Sequence, residues 1–200
     1  MQLYLKGRLY NLLIDPLVSG LKQIVAEKTA NASRVIDIAC GTGTLAFAIA
    51  RSSGHITAID LDEEMISFAI SRAVRKGITN TLFETHDAKD LSVYHDRDFD
   101  VAVTSLAVHQ FKEELAIKIL TEMKRISGKV IIADYNCPMP SGLSKSLAYG
   151  IERMAKGDHH QNFMNYISRG GLKWFTAAAG LVIRSETIKG NGVFVVAECS

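Results

Sequence analysis

Val35-Ile36-Asp37-Ile38-Ala39-Cys40-Gly41-Thr42-Gly43 is the stretch whose reading decides the fold of this chain. The run from Val35 to Ala39 is short and apolar and ends at a glycine turn, the pattern of a buried strand. One residue breaks the pattern: Asp37 is an acid inside it. A buried carboxylate is costly unless something compensates it, so Asp37 needs a reason beyond packing.

The residues that follow supply a context. Thr44 to Arg51 reads as a helix, His55 to Ile59 as a second apolar strand, and Asp60 closes that strand. Gly41 and Gly43 allow a sharp turn and a close approach of backbone to a ligand. An acid at the tip of the next strand is placed to accept hydrogen bonds from ribose hydroxyls. The interval from the glycines to Asp60 matches the roughly 20 residues of a βαβ nucleotide-type unit.

Beyond this unit, strand-like runs recur at Thr81 to Glu84, Asp100 to Thr104 and Lys129 to Tyr135, separated by helical patterns at about 63–76 and 112–125. Alternating strands and helices predict a mostly parallel sheet with helices on both faces. Leu9, Leu12, Leu13, Leu17, Leu21, Ile24 and Val25 fit an N-terminal helical region interrupted near Pro16. Lys89 to Tyr94 suggests a short helix that Asp87 would cap. A long helical region at about 142–179, broken near Gly157 and Asp158, precedes two apolar runs, Leu181 to Ile188 and Val193 to Ala197. Gly190-Asn191-Gly192 joins them, which predicts a hairpin and an antiparallel end to the sheet. The expected architecture is therefore an α/β, Rossmann-like, seven-stranded sheet in one domain. Its parts are an N-terminal helical cover (1–33), a ligand-binding core (34–135), cover helices (136–180) and the terminal hairpin (181–200).

Composition limits the partners. The 200 residues are 48% hydrophobic with a formal net charge of +2 and no dense basic run, which argues against an extended nucleic-acid groove. Lys6, Arg8 and Asp15 interrupt the N-terminal apolar residues, so neither a secretory signal nor a membrane span is expected. Cys40, Cys137 and Cys199 are odd in number and widely separated, which suits free thiols in a cytoplasmic protein. A small-molecule partner is the expectation.

Four segments in order resemble one family, the class I S-adenosylmethionine-dependent methyltransferases, and within it the small-molecule branch of quinone-biosynthesis enzymes. Val35 to Thr44 resembles its first motif and Ile59-Asp60-Leu61-Asp62-Glu63-Glu64-Met65 its second. His86-Asp87-Ala88 resembles the segment beside adenine, and Phe99 to Thr104 the strand before the substrate pocket. The resemblance implies that Asp37, Gly41, Thr42 and Gly43 surround the methionine and ribose of S-adenosylmethionine, with S-adenosylhomocysteine as product. It implies that Asp60 holds the ribose hydroxyls, Leu61 and Met65 pack on adenine, and Asp87 and Ala88 meet its polar edge. Ser105, at the end of the fourth strand, and Tyr10, with Tyr4 as a lid over the cofactor, complete the candidate contacts. Structural alternatives stand beside these: a plain strand-to-helix turn at the glycines, a helix cap at Asp60, and core packing at Met65.

Methyl transfer is an in-line displacement, so alignment of the reactants can supply most of the acceleration. His109, after the fourth strand, is the candidate general base if one is used, against a reading as an ordinary loop histidine. Tyr135 and Asn136 form a possible substrate wall. Cys137 to Gly171 is the expected substrate cover, where Tyr149, Met154, Phe163, Met164 and Tyr166 line either an apolar pocket or the helix core. Asp158-His159-His160 has metal-ligating residue types but adjacent helical histidines diverge, so no metal is expected. Thr104-Ser105-Leu106-Ala107 replaces the Asn-Pro-Pro-Tyr type of motif that grips planar amino groups, which disfavours amino methylation of DNA bases. Two other functions stay open: a non-catalytic relative that keeps the fold, and a nicotinamide-dependent oxidoreductase, against which Asp37 and the hairpin speak.

Overall fold

A computed structural model describes residues 15–154 and 157–200. Strands β1 (Arg34–Ile38), β2 (His55–Asp60), β3 (Thr81–Thr85), β4 (Phe99–Ser105), β5 (Ser127–Tyr135), β6 (Ile183–Lys189) and β7 (Phe194–Cys199) form one seven-stranded sheet. Their order is β3-β2-β1-β4-β5-β7-β6. The first five strands pair in parallel, β7 runs antiparallel to β5, and β6 completes the hairpin at the edge. The expected sheet and its antiparallel end are both present.

Alternation along the strands divides the core in two. Val35, Ala58, Val101, Val103 and Ile131 face α1 (Asp15–Lys28), α2 (Thr44–Ile49) and α3 (Glu63–Lys76). Ile36, Ile38, Ala102, Val130 and Ile132 face α4 (Glu113–Ile126), α5 (Leu143–Met154), α6 (His159–Arg169) and α7 (Leu172–Ala178). The branched side chains of β1 are fully buried, each stabilising the fold by about 1.5–3 kcal/mol. Because β1 neighbours β2 on one side and β4 on the other, the carboxyl ends of all three strands open at one rim of the sheet.

Local signals explain the element boundaries. The Asp62 carboxylate accepts the amides of Glu64 and Met65 at 2.9 and 3.2 Å, Glu63 and Glu64 complement the first turn of α3, and Gly77 ends the helix in a left-handed conformation. The expected long helical region 142–179 is three helices. Its second break falls at Gly170-Gly171, both with positive φ, and a Cβ on Gly171 would lie 2.7 Å from that of Cys137. The short helix expected over Lys89 to Tyr94 is absent. Asp87 and Asp90 instead accept the amides two residues on, at 2.9 and 3.0 Å, which favours turns over a helix. No helix among the described residues is long and apolar enough to cross a membrane.

Candidate active site

The rim formed by β1, β2 and β4 brings the two acids of the opening motifs together. Asp37 pairs with Ala58 and Val103 in the centre of the sheet and is 1% exposed. After β1, Ala39 turns with positive φ, and Gly41 and Gly43 follow with φ of 53° and 74° into the start of α2. A side chain at Gly43 has no room, since its Cβ would meet the Phe83 ring at 2.7 Å and Ala69 at 3.2 Å. The Cys40 amide reaches the Ile59 carbonyl at 3.0 Å, which fastens the turn to the end of β2.

Asp60 braces this turn from below. One carboxylate oxygen accepts the Gly41 amide at 2.7 Å and the other accepts the Asp62 amide at 2.9 Å. The cap of α3 is Asp62, so Asp60 is free of that duty and faces the turn. It is a preorganised acceptor with lone pairs to spare for hydroxyl donors.

Asp37 is the unsatisfied member of the site. Its Oδ2 is buried with no hydrogen-bond partner. Burial, and next the nearby Asp60 charge, push its pKa up to about 8, with partial relief from the Ala46 amide and the Lys22 charge. Cys40 beside it is no ready nucleophile, because burial and both acids push its thiol up.

The remaining predicted contacts distribute around the rim. Leu61 is 65% exposed although apolar, directly after Asp60, and Met65 is half-buried on the first turn of α3. The His86 amide binds the Asp60 carbonyl at 2.9 Å, which brings half-buried Asp87 and Ala88 beside β2. Thr42 is buried, while Ser105 is half-buried at the end of β4. Leu106, next to it, holds a positive φ of 54°, kept by its amide on the Ala133 carbonyl and by Gln110 on its own carbonyl. Tyr4 and Tyr10 lie outside the described residues. A surface depression of about 440 Å³ near Arg51, Lys76 and Asn80 lies at the amino ends of the strands, away from this rim.

His109, the candidate general base, lies beyond the end of β4. His109 sits in a one-turn helix at Val108–Gln110 and is only 1% exposed. Its Nδ1 lies 2.6 Å from Asp134 Oδ1, its amide donates to Asp134 Oδ2 at 3.2 Å, and its Nε2 stands 3.5 Å from Glu152 Oε1. That last approach is an ion contact without hydrogen-bond alignment. Burial pulls the His109 pKa down, but Asp134 and Glu152 outweigh it and hold the ring at about 9. Tyr135, Phe163 and Tyr166 enclose it edge-on. Phe163 and Tyr166 are core residues rather than pocket lining, Tyr149 packs on Phe163, and Met164 is 41% exposed.

Asp134 and Glu152 were not singled out from sequence. Asp134 had a readable signal, an acid inside the apolar run of β5, the same anomaly that marks Asp37. Glu152 had none, since an acid on an amphipathic helix ordinarily faces water. Among the described residues no His, Cys, Asp or Glu cluster could hold a metal ion.

The model of a methyltransferase domain matches residues 30–174. The chain belongs to this methyltransferase domain family. It is 27% identical over 148 residues to a ubiquinone/menaquinone biosynthesis C-methyltransferase of Cellvibrio japonicus, covering 68% of this chain and 59% of that protein. It is 27% identical over 165 residues to a ubiquinone biosynthesis O-methyltransferase of Xanthomonas axonopodis, covering 80% of this chain and 67% of that one. The chain thus spans about three fifths to two thirds of these relatives. Among solved structures, an S-adenosylmethionine-dependent methyltransferase from Clostridium acetobutylicum superposes with a TM-score of 0.66 over 100% of this chain and 99% of that one, at 13% identity. The mitomycin 7-O-methyltransferase gives 0.71 over 96% and 56%, at 14% identity. These structures share the fold of this methyltransferase domain.

The residues at the rim fit S-adenosylmethionine. Its ammonium suits the unpartnered Asp37 oxygen, its ribose hydroxyls suit Asp60, and its adenine suits the exposed Leu61 face.

Proposed function

We propose that this methyltransferase domain transfers a methyl group from S-adenosylmethionine to a small-molecule acceptor, mainly by binding and aligning the two. The observation that carries this reading is the buried Asp37 oxygen without a partner, beside a glycine turn braced by Asp60. When bound, the cofactor supplies a sulfonium-activated methyl group. The chain's own contribution is to orient it: Asp37 answers a cation, Asp60 fixes the turn and accepts hydroxyls, and Leu61 and Met65 cover an apolar ring. Ser105 and the strained Leu106 border the space where an acceptor enters, so binding there excludes water and shortens the approach.

Similarity to quinone-biosynthesis C- and O-methyltransferases supports a phenol- or quinol-like acceptor. Three free cysteines support a reducing, cytoplasmic setting. A nicotinamide cofactor is disfavoured, because neither Asp37 nor the β6–β7 hairpin serves it.

Isothermal titration with S-adenosylmethionine and S-adenosylhomocysteine tests the cofactor. A screen with labelled cofactor against quinols, phenols, amines and thiols tests transfer. Absence of binding at millimolar ligand would sink the reading, and binding without transfer to any acceptor class would leave a non-catalytic relative.

A further inference from the structure

Among the described residues, Glu152 is a buried acid on a helix that has little else holding it down. The inward face of α5 carries buried Ala148, half-buried Tyr149 and Ile151, and Glu152, while Leu143 and Leu147 are 90% and 52% exposed on its other side. Among the described side chains of this helix, burial of one alanine and parts of two larger residues is a weak hold. Glu152, by contrast, accepts the Tyr135 hydroxyl at 2.9 Å and stands 3.5 Å from His109 Nε2, whose other nitrogen is on Asp134.

Among the described residues, the groups facing one another come from every element packed there. Asp134 and Tyr135 are from β5, His109 from the turn after β4, Glu152 from α5, and Tyr166 from α6, its hydroxyl on the Tyr135 carbonyl at 2.7 Å. His159 of α6 also acts on Glu152 through its charge. Two acids flank one imidazole, so the imidazole is stabilised as the cation, and as a cation it has no lone pair with which to take a proton. This arrangement does not suit a general base. It suits a tie between the rim of the sheet and the helix laid beside it.

We infer that Glu152 is a positioning residue that seats α5 over the acceptor side of the site, using the buried His109–Asp134 pair as its anchor. The inference rests on the proposed methyl transfer only for the meaning of "acceptor side"; the tie itself is independent of that reading. α5 follows β5, whose Tyr135 end lies beside the Ser105 and Leu106 end of β4, and Glu152 fixes α5 to that end through Tyr135 and His109.

The test uses the full chain and two variants. Glu152→Gln keeps an oxygen for the Tyr135 hydroxyl and removes the charge, whereas Tyr135→Phe keeps the charge pair and removes the hydroxyl. Hydrogen exchange of amides 143–154, NMR titration of the His109 ring, and titration with S-adenosylhomocysteine are read together. For Glu152→Gln the expected results are exchange in α5 faster by about tenfold or more while the strands keep their protection. The His109 midpoint should fall by about one pH unit or more. Tyr135→Phe should loosen α5 with a smaller change in that midpoint, and it carries the exchange test if Glu152→Gln does not fold. Unchanged α5 exchange in both variants overturns the inference, and so does exchange that accelerates uniformly through the sheet, which would make Glu152 a general stabiliser. Failure of the wild-type chain to bind S-adenosylhomocysteine would instead count against the methyltransferase reading, with the α5 measurements still decisive for the tie.

Discussion

Asp60 holds the amide of Gly41 at 2.7 Å, so the acid at the tip of β2 shapes the turn that follows β1 before any ligand arrives. The same carboxylate is the proposed ribose acceptor, and the two roles separate by substitution. Asp60→Asn retains one acceptor oxygen but no charge, and we expect S-adenosylhomocysteine to bind about 10- to 100-fold more weakly, the cost of about one or two charged hydrogen bonds. Asp60→Ala also leaves the Gly41 and Asp62 amides without their acceptor, which should lower unfolding stability by about 1–2 kcal/mol. Calorimetric titration and urea denaturation read the two losses independently. Equal affinity for Asp60→Ala and wild type would remove Asp60 from the site.

If Asp37 meets the ligand's ammonium as proposed, binding is a proton-linked event. With its pKa at about 8 in the free protein, Asp37 is mostly protonated at pH 7, whereas an ammonium beside it favours the carboxylate. Binding should therefore release a proton near neutral pH, and affinity should rise between pH 6.5 and 8 before levelling, estimated as up to about tenfold per pH unit. Titrations in two buffers of different ionisation enthalpy measure the release directly. Asp37→Asn should abolish it, and a pH-independent affinity in the wild type would show that Asp37 does not meet the cation.

The sheet was legible because its signals are local. Short apolar runs, glycine turns and the Gly190-Asn191-Gly192 junction each act over a few residues, and the strands form within one or two positions of the expected boundaries. The candidate site at the rim drew notice for a related reason: Asp37 and Asp60 are acids where the pattern calls for apolar or terminal residues. The acceptor side was not legible. Nothing in the order of residues says that Glu152 turns inward to meet His109, because that depends on where α5 lands after β5 and on α6 closing over it. His109 reads as a candidate base from its place after β4, and its burial between Asp134 and Glu152 is not visible in the order of residues. The break at Gly170-Gly171 escaped notice because the apolar spacing continues across it while the backbone does not.

Gly43 tests the packing beneath the turn. Gly43→Ala places a methyl 2.7 Å from the Phe83 ring, itself packed edge-on against Phe47 at 5.5 Å, at a φ of 74° that alanine adopts reluctantly. Strain and overpacking together should cost about 2–4 kcal/mol in urea unfolding. Cofactor affinity should fall as well, since Phe83 and Ala69 must shift and α2 begins at the next residue. Gly41→Ala is the control, because its Cβ meets nothing within 4 Å and only the positive φ is penalised, by about 1 kcal/mol. A Gly43→Ala chain as stable as Gly41→Ala would contradict the close approach.

Stability against pH should carry the imprint of both buried groups. For Asp37 the folded pKa, about 8, lies above the unfolded value of 3.8, so its stabilising contribution is complete below about pH 4 and is lost as pH rises to 8. For His109 the folded value of about 9 lies above 6.5, so its contribution is complete below pH 6.5 and is lost on passing pH 9. Glu152 has the opposite sign: against the pull of burial, His109 and Tyr135 hold its carboxyl below the usual range, so its contribution is lost only on acidification. The ligand-free chain should therefore be most stable on the acid side of neutrality and weaken steadily towards pH 9. In Asp37→Asn the decline between pH 4 and 6.5 should vanish and a decline between pH 6.5 and 9 should remain, because His109 still loses its proton between two acids. Urea midpoints at pH 5, 7 and 9 for both chains measure this, and a wild-type stability that climbs from pH 5 to 9 would refute the assigned protonation of both residues.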